Sequence, residues 1–441
     1  MSVRKLGLPL IGLFLALYGS IAPAAKAGAI PSVLDLKHQA AVYDGWLGAR
    51  FERLLPELMR REKIDLWLVI CEEYNEDPVY LSLVPFANFS ARRLTMLAMF
   101  DRGGEKGVER FSVSRYGVGD LFPTIWKANQ EDQWEALARA VKTRDPQRIG
   151  IDESDIFAFG DGLSASKKAR LVRALGPEYA KRLVSADRLA VGWLERRLPE
   201  EIEAYHHIAA IAHAIIAEAF SSRVITPGIT TVEDVEWWMW EKVRSLGQPT
   251  WFTPGVTLQR PKTSPFKESP VIHPGDLLHC DFGISYLKLM TDTQQLAYVL
   301  GPGETDAPKG LKDGLAQANR LQDILVGEMR EGLTGNQVLA AALKRAKSEG
   351  LRPSIYTHPL GVHGHAAGPT IGLWDRQDGV PGAGDYPLFA DTVYSIELNV
   401  MAAVPEWGGQ DVQFALEQDA AFTRSGTAFL DRRQTELILV R

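Results

Sequence analysis

The stretch Gly275-Asp276-Leu277-Leu278-His279-Cys280-Asp281-Phe282-Gly283, followed by Met290-Thr291-Asp292-Thr293, constrains this chain more than any other part of it. A short apolar run carries one carboxylate, turns, and presents a second eleven residues later. Leu277 to Phe282 is too short for an ordinary helix and is bounded by Pro274-Gly275 and Gly283, which predicts a buried strand. Thr293 to Leu300 predicts a second. In an antiparallel hairpin, cross-strand partners share a constant index sum. A turn centred between Tyr286 and Leu287 therefore sets Asp281 directly opposite Asp292, with Cβ atoms about 5 Å apart. Two like charges that close repel, and apolar neighbours make the repulsion worse. Either the register differs and Asp292 caps a turn, or cations sit between the carboxylates. The pair alone does not decide.

Donors further along the chain favour the cations. His358 lies in Thr-His-Pro-Leu-Gly, and His365 follows seven residues later in His-Gly-His-Ala-Ala-Gly-Pro. In Thr-Val-Tyr-Ser-Ile-Glu-Leu-Asn-Val, alternation places Val393, Ser395, Glu397 and Asn399 on one strand face, against Tyr394, Ile396, Leu398 and Val400. Glu417 ends Val-Gln-Phe-Ala-Leu-Glu and shares the small or polar face with Gln413 and Ala415. A glutamate at the edge of an apolar strand carries a desolvation cost that an exposed one lacks. Metal coordination removes that cost.

In this order (Asp, Asp eleven later, His in a His-x-x-Gly context, then two strand-borne glutamates) the chain resembles the pita-bread metallopeptidases, among them methionine aminopeptidase, Xaa-Pro aminopeptidase and prolidase. The resemblance runs from about Leu189 to Arg441. It implies that Asp281, Asp292, His358, Glu397 and Glu417 are metal ligands, with Asp292 and Glu417 bridging. It further implies Glu397 as proton shuttle and His365 as donor to the reacting carbonyl oxygen. Oxygen-rich donors with one imidazole suit two divalent ions such as Mn²⁺, Co²⁺ or Zn²⁺. Four carboxylates offset the charge of two such ions.

Arg4 and Lys5 precede the apolar run Leu6–Ala22, and Ala22-Pro23-Ala24 and Ala25-Lys26-Ala27 are small-x-small cleavage candidates. Residues 1–27 therefore read as a secretory signal peptide, with an uncleaved helical anchor as the alternative. No later apolar stretch has spanning length, so a secreted or periplasmic protein without a stable membrane anchor is expected. Removing 1–27 deletes three cations and takes the formal net charge from −6 to −9. An acidic chain without basic runs is a poor nucleic-acid binder. The two cysteines, Cys71 and Cys280, fall in different expected domains and read as buried thiols rather than a disulfide.

The remaining ~410 residues imply two domains. Residues 28–190 alternate helical and strand-like segments: Phe51–Arg61, Leu66–Ile70, Leu94–Phe100, Gln133–Val141, Arg148–Ile151, Lys167–Leu175 and Leu183–Val184. This predicts an α/β layer, and it resembles the creatinase-type N-terminal domain of prolidases. Residues 191–441 form the expected α+β pita-bread catalytic domain. Pro199-Glu200-Glu201 reads as a helix start, with the acids near the positive end of the dipole. His206, His207 and His213 on the following helix read as surface or satisfied histidines. Trp237 and Trp240, three apart, read as core packing.

Two departures from the family stand out. The histidine that prolidases place ahead of the first aspartate falls near Ser264 here, and neither His273 nor His279 occupies its position. The arginine two residues before the last glutamate is Ala415. The reading is thus an exported dimetal exopeptidase, an Xaa-Pro aminopeptidase or dipeptidase acting on small proline-containing peptides, and a homo-oligomer by likeness. The alternatives are a dimetal hydrolase of a non-peptide amide or ester, a metal-free creatinase-like hydrolase, and a non-catalytic binding protein on the same fold.

Overall fold

The computed structural model describes residues 29–441, so the signal-peptide reading of residues 1–27 lies outside the described residues. The chain opens on helix α1 (Leu36–Ala49), passes through a π-helical turn at Arg50–Leu54, and continues as α2 (Leu55–Glu62). A π bulge re-aims the side chains around it. Here Arg50 is turned inward, where its guanidinium stacks on the Trp193 ring at 4.5 Å and donates to Glu201 Oε2 at 2.8 Å.

Strand β1 (Leu66–Glu72) is apolar at every position up to Cys71 and is covered on both faces. It is joined by β2 (Leu94–Asp101), β3 (Val108–Ser112), β4 (Ile149–Ile151) and β5 (Leu183–Ser185) in the order β3-β2-β1-β4-β5. The β3/β2 and β2/β1 pairs are antiparallel, and β1/β4 and β4/β5 are parallel. Leu66, Leu68 and Ile70 pack against α3 (Gln133–Arg144) and α4 (Ala165–Ala180), while Trp67, Val69 and Cys71 pack against α2 and α5 (Asp187–Glu195). Residues 190 and 191 lie within α5, whose Leu189, Val191, Trp193 and Leu194 belong to the core beneath β1. The change of layer follows at the extended residues Arg196 and Leu198.

Helix α6 (Pro199–Ala219) begins with Pro199 in its first turn, and Glu201 accepts from the Leu198 N–H at 2.6 Å. Helix α7 (Val232–Ser245) is opened by a reciprocal Thr231/Asp234 cap. On α6, His213 is buried and its Nδ1 pairs with Asp431 Oδ2 at 2.7 Å, a carboxylate too distant in sequence to be anticipated, while its Nε2 has no partner. Trp237 and Trp240 stack at 5.3 Å, but Trp237 is 53% exposed, so this pair is a surface feature rather than core. Trp238 is the tryptophan that packs inward.

Three larger sheets and the two-stranded β-ladder of a hairpin follow. The first takes β6 (Gly255–Gln259), β7 (Leu277–Phe282), β10 (Thr293–Val299) and β18 (Ile438–Val440), in the order β18-β10-β7-β6. Its β7 and β10 are linked through the two-residue strands β8 (Ser285–Tyr286) and β9 (Leu289–Met290). The second takes β11 (Pro353–Ile355), β14 (Leu398–Val404) and β15 (Gln410–Leu416). The third takes β12 (His358–Leu360), β13 (Thr392–Ser395), β16 (Asp419–Thr423) and β17 (Gly426–Phe429). The uninterrupted strand expected around Glu397 is therefore two strands in different sheets: β13 ends at Ser395 and β14 begins at Leu398. Alternation of apolar residues continues across the break, so periodicity alone does not reveal it.

Helices α6 and α7 cover Leu278, Cys280 and Phe282 of β7 and Ala297 and Val299 of β10. Helices α8 (Lys309–Glu328) and α9 (Gly335–Ser348) cover β14 and β15. Both cysteines are free and buried in separate cores, as expected. A Cβ on Gly314 of α8 would stand 2.1 Å from the Phe414 ring of β15, so helix and sheet meet where this side chain is missing. Gly314→Ala is expected to cost roughly 1–3 kcal/mol of stability through overpacking, read as a lower melting temperature by circular dichroism.

Candidate metal centre

The hairpin that carries the two aspartates folds about Leu287 and Lys288, both at φ +56°, and pairs Tyr286 with Leu289. Two consecutive left-handed residues match the twist of flanking strands, a turn in which Asn-Gly is the usual sequence signal. Its absence hid the turn's centre. The register pairs Asp281 with Gln294, not with Asp292. Asp292 lies just ahead of β10 and diagonal to Asp281. The directly opposed pair expected from the sequence is thus corrected, yet the carboxylates still converge: ligand oxygens of Asp281, Asp292 and Glu417 lie within 4.8 Å of one another.

The glutamates occupy the two sheet-switching breaks. Glu397 sits between β13 and β14, where its N–H donates to Thr357 Oγ1 at 3.1 Å and its carbonyl accepts from Thr357 Oγ1 at 3.0 Å and Tyr356 N at 3.2 Å. Glu417 sits between β15 and β16, in a two-way backbone bridge to Gln294. Ser395 Oγ donates to Glu417 Oε1 at 2.5 Å. At such breaks a side chain leaves both sheets and enters the space between them. That space is the site.

His358 opens β12. Its Nε2 lies 3.5 Å from Glu417 Oε1, 3.7 Å from Asp292 Oδ2 and 3.8 Å from Glu397 Oε2. These are non-bonded separations around a common point. His358, Glu397 and Glu417 form a second ligand trio, and Asp292, His358 and His365 a third. Shared members link all five expected ligands, with His365 at the margin. The imidazole of His365 stands edge-on to those of His358 (4.8 Å) and Trp251 (5.1 Å).

The donor set fits a pair of cations on physical grounds. Asp281 Oδ1, Asp292 Oδ1, Glu417 Oε2 and His358 Nε2 are all buried without a hydrogen-bond partner. Orphaned buried polar atoms are expensive, and four at one point mark a place for a ligand atom. Without cations, burial and then the Glu417 charge push the Asp281 carboxyl up to about 8 and that of Glu397 up to about 11. The same two causes, with Asp281 and Glu397 adding to them, hold Asp292 well above the ordinary carboxylate range. Asp419 is raised likewise by burial, and its Oδ1 accepts from the Asp292 N–H at 3.1 Å. Burial and the neighbouring His358 lower the pKa of His365.

Residues 203–417 match the family model described as Metallopeptidase family M24. This segment, just under half of the chain, is similar to family M24. The family is dimetal, and its members act on peptides. No curated protein matches the chain. Among solved structures, an X-Pro aminopeptidase from Thermotoga maritima aligns with a TM-score of 0.62 at 18% identity, covering 87% of this chain and 100% of that one. An Xaa-Pro dipeptidase from Bacillus anthracis gives 0.59 at 18%, covering 91% and 99%. Dipeptidase PepE from Mycobacterium ulcerans gives 0.58 at 18%, covering 92% and 99%. At these identities the likeness establishes the fold alone, a pita-bread region behind an α/β N-terminal layer.

In the region that matches M24, Ser264 lies in a tight turn, its N–H donating to Pro261 O and its Oγ accepting from Phe266 N. The loop is pinned by the buried Arg260–Asp276 pair at 2.7 Å. Ala415 pairs with Asn399 across β14/β15. His273 stacks on Phe266 at 3.7 Å. His363 stacks on Phe159 at 4.3 Å, so the N-terminal layer reaches the loop that carries His365. Three polar residues next to the ligands were not anticipated: Thr357, Asp419 and Gln294. Each becomes visible only once the sheet breaks and the register are known.

With cations removed, the raised carboxyls make the fold sensitive to pH. A carboxyl whose pKa is about 4 unfolded and about 8 folded, like Asp281, binds more protons in the native state between those values. Stability therefore falls as pH rises through that window. Chelator-treated protein is expected to melt at a lower temperature at pH 8 than at pH 5.5. Added Mn²⁺ at pH 8 is expected to reverse the loss.

Proposed function

We propose that this chain is an exported dimetal exopeptidase that removes N-terminal residues from short proline-containing peptides. The observation that carries the reading is the convergence of Asp281, Asp292, His358, Glu397 and Glu417 around a point where four buried polar atoms have no partner. The named activities of the structural neighbours, X-Pro aminopeptidase and Xaa-Pro dipeptidase, support the exopeptidase and proline elements. Export rests on the apolar N-terminal run behind Arg4 and Lys5.

Asp281, Asp292 and Glu417 would hold one cation, and His358, Glu397 and Glu417 the other. Oxygen-rich donors with imidazole point to Mn²⁺, Co²⁺ or Zn²⁺. Bound there, the pair would supply Lewis acidity toward the scissile carbonyl and lower the pKa of water toward neutrality.

The chain's own groups do the rest. Glu397 takes a proton from the attacking water. It returns that proton to the amine nitrogen as the C–N bond breaks and the new C–O bond completes the acid product. His365, kept neutral by burial and His358, donates an N–H to the carbonyl oxygen as negative charge develops there. Phe159 against His363 backs this loop from the N-terminal layer.

A second reading has its own observation. Ser264 is committed to a turn and Ala415 carries no charge, so two substrate-contacting groups expected of a prolidase are missing. A dimetal hydrolase of another amide or ester would use the same ions. Metal content of the purified protein, followed by a panel of Xaa-Pro peptides against non-peptide amides and esters, separates the readings. Turnover of Xaa-Pro peptides is expected, and activity confined to the non-peptide set selects the second.

Asp292→Asn is expected to abolish metal-dependent hydrolysis; wild-type turnover by the metal-loaded variant would sink the ligand assignment. His365→Phe is expected to lower kcat by about 10²–10³ at unchanged metal content, checked by steady-state kinetics with elemental analysis.

A further inference from the structure

Gln294 is 3% exposed and touches the cluster from several sides. Its backbone N–H donates to Glu417 O at 3.0 Å, and its carbonyl accepts from Glu417 N–H at 3.3 Å. Its side-chain Nε2 donates to Glu397 Oε1 at 2.6 Å and reaches Asp281 Oδ2, the cross-strand partner's carboxylate, at 3.5 Å. Asp292 precedes it by two residues in the chain. One residue therefore touches three of the five expected ligands and lies two residues from a fourth.

The amide has only one favourable orientation. Turned over, its oxygen would face the Glu397 carboxylate, acceptor against acceptor. His279 Nε2, 2.9 Å from Gln294 Oε1, fixes the orientation by donating to that oxygen. Its Nδ1 then accepts from Thr257 Oγ1 at 3.4 Å. The chain Thr257–His279–Gln294 thus runs across β6, β7 and β10 into the site. His279 does not stand where the family's histidine stands, so the sequence alone gives it no role.

We propose that Gln294, held by His279, is the positioning residue of the centre. It fixes one oxygen of Asp281 and one of Glu397, leaving Asp281 Oδ1 and Glu397 Oε2 free for metal. A neutral donor suits this place. Lysine would repel the cations, and glutamate would add a fifth charge to four carboxylates that already offset two divalent ions. The inference rests on the dimetal reading above.

The test uses chelator-stripped mature protein, titrated with Mn²⁺ by calorimetry, alongside steady-state kinetics. Gln294→Met keeps the length and volume of the side chain and deletes both donors. Two Mn²⁺ per wild-type chain are expected. In Gln294→Met, with an unchanged circular-dichroism spectrum, Mn²⁺ affinity is expected to fall about 10- to 100-fold, and kcat to fall while KM holds. His279→Phe is expected to shift both quantities in the same direction, and the double variant to be no worse than Gln294→Met alone, since His279 acts through the amide. A folded Gln294→Met that takes up two Mn²⁺ with wild-type affinity overturns the inference and leaves the dimetal reading intact. Wild-type protein that takes up no Mn²⁺ overturns the dimetal reading and the inference with it. Should Gln294→Met fail to fold, His279→Phe decides: wild-type Mn²⁺ affinity in that variant overturns the inference.

Discussion

Four carboxylates held together in a buried space repel one another, and the architecture of the second half of this chain is the means of keeping them there. The hairpin brings Asp281 and Asp292 to one end of a sheet face whose other end, Leu277, Leu296 and Tyr298, packs into the α8/α9 core. The same row of side chains that anchors the strands therefore ends in the charged cluster. Withdrawal of the aspartates would require the strands to leave their core. Positive charge between them would offset that repulsion.

The glutamates reach the cluster by another route. A residue inside a regular strand has its side chain committed to one sheet face, whereas Glu397 and Glu417 stand where the chain leaves one sheet for the next. Backbone groups freed by the breaks are re-satisfied locally, through Thr357 at the first and through Gln294 at the second. Buried backbone polar groups have to be paired, so each break brings its own supporting residues with it. The polar shell around the ligands is in this sense a by-product of switching sheets, recruited to hold the carboxylates.

Sequence made the composition of the site legible but not its wiring. Residue type, order and apolar context singled out the five side chains that converge. Strands β1, β2, β7 and β10 were evident because their apolar runs end at Glu, Asp or Gly. β3 was missed, since Val-Glu-Arg-Phe-Ser is buried only toward its end. The register was misjudged because Leu287 and Lys288 adopt left-handed backbone without the glycine or asparagine that normally signals it. That single shift replaced an Asp–Asp pair by Asp281–Gln294 and concealed the residue that organises the centre. His213–Asp431 was invisible for a plainer reason: its members are brought together only by tertiary packing.

The N-terminal layer contributes no ligand, yet it grips the catalytic half at the two segments whose placement matters most. Lys288, in the hairpin turn, donates to Leu81 O at 3.2 Å and lies 4.4 Å over the Tyr43 ring. Phe159 stacks on His363, two residues from His365. The buried Arg50–Glu201 pair ties the start of α6 to the π bulge behind α1. Breaking a buried ion pair leaves a charge without compensation and costs several kcal/mol, so this contact keeps the layers in one relative position. A metal centre of this kind needs only its five ligands to persist, while substrate choice depends on the surrounding loops and on whatever the other layer presses against them. Ser264 and Ala415 depart from the prolidase pattern in those surroundings, outside the cluster itself.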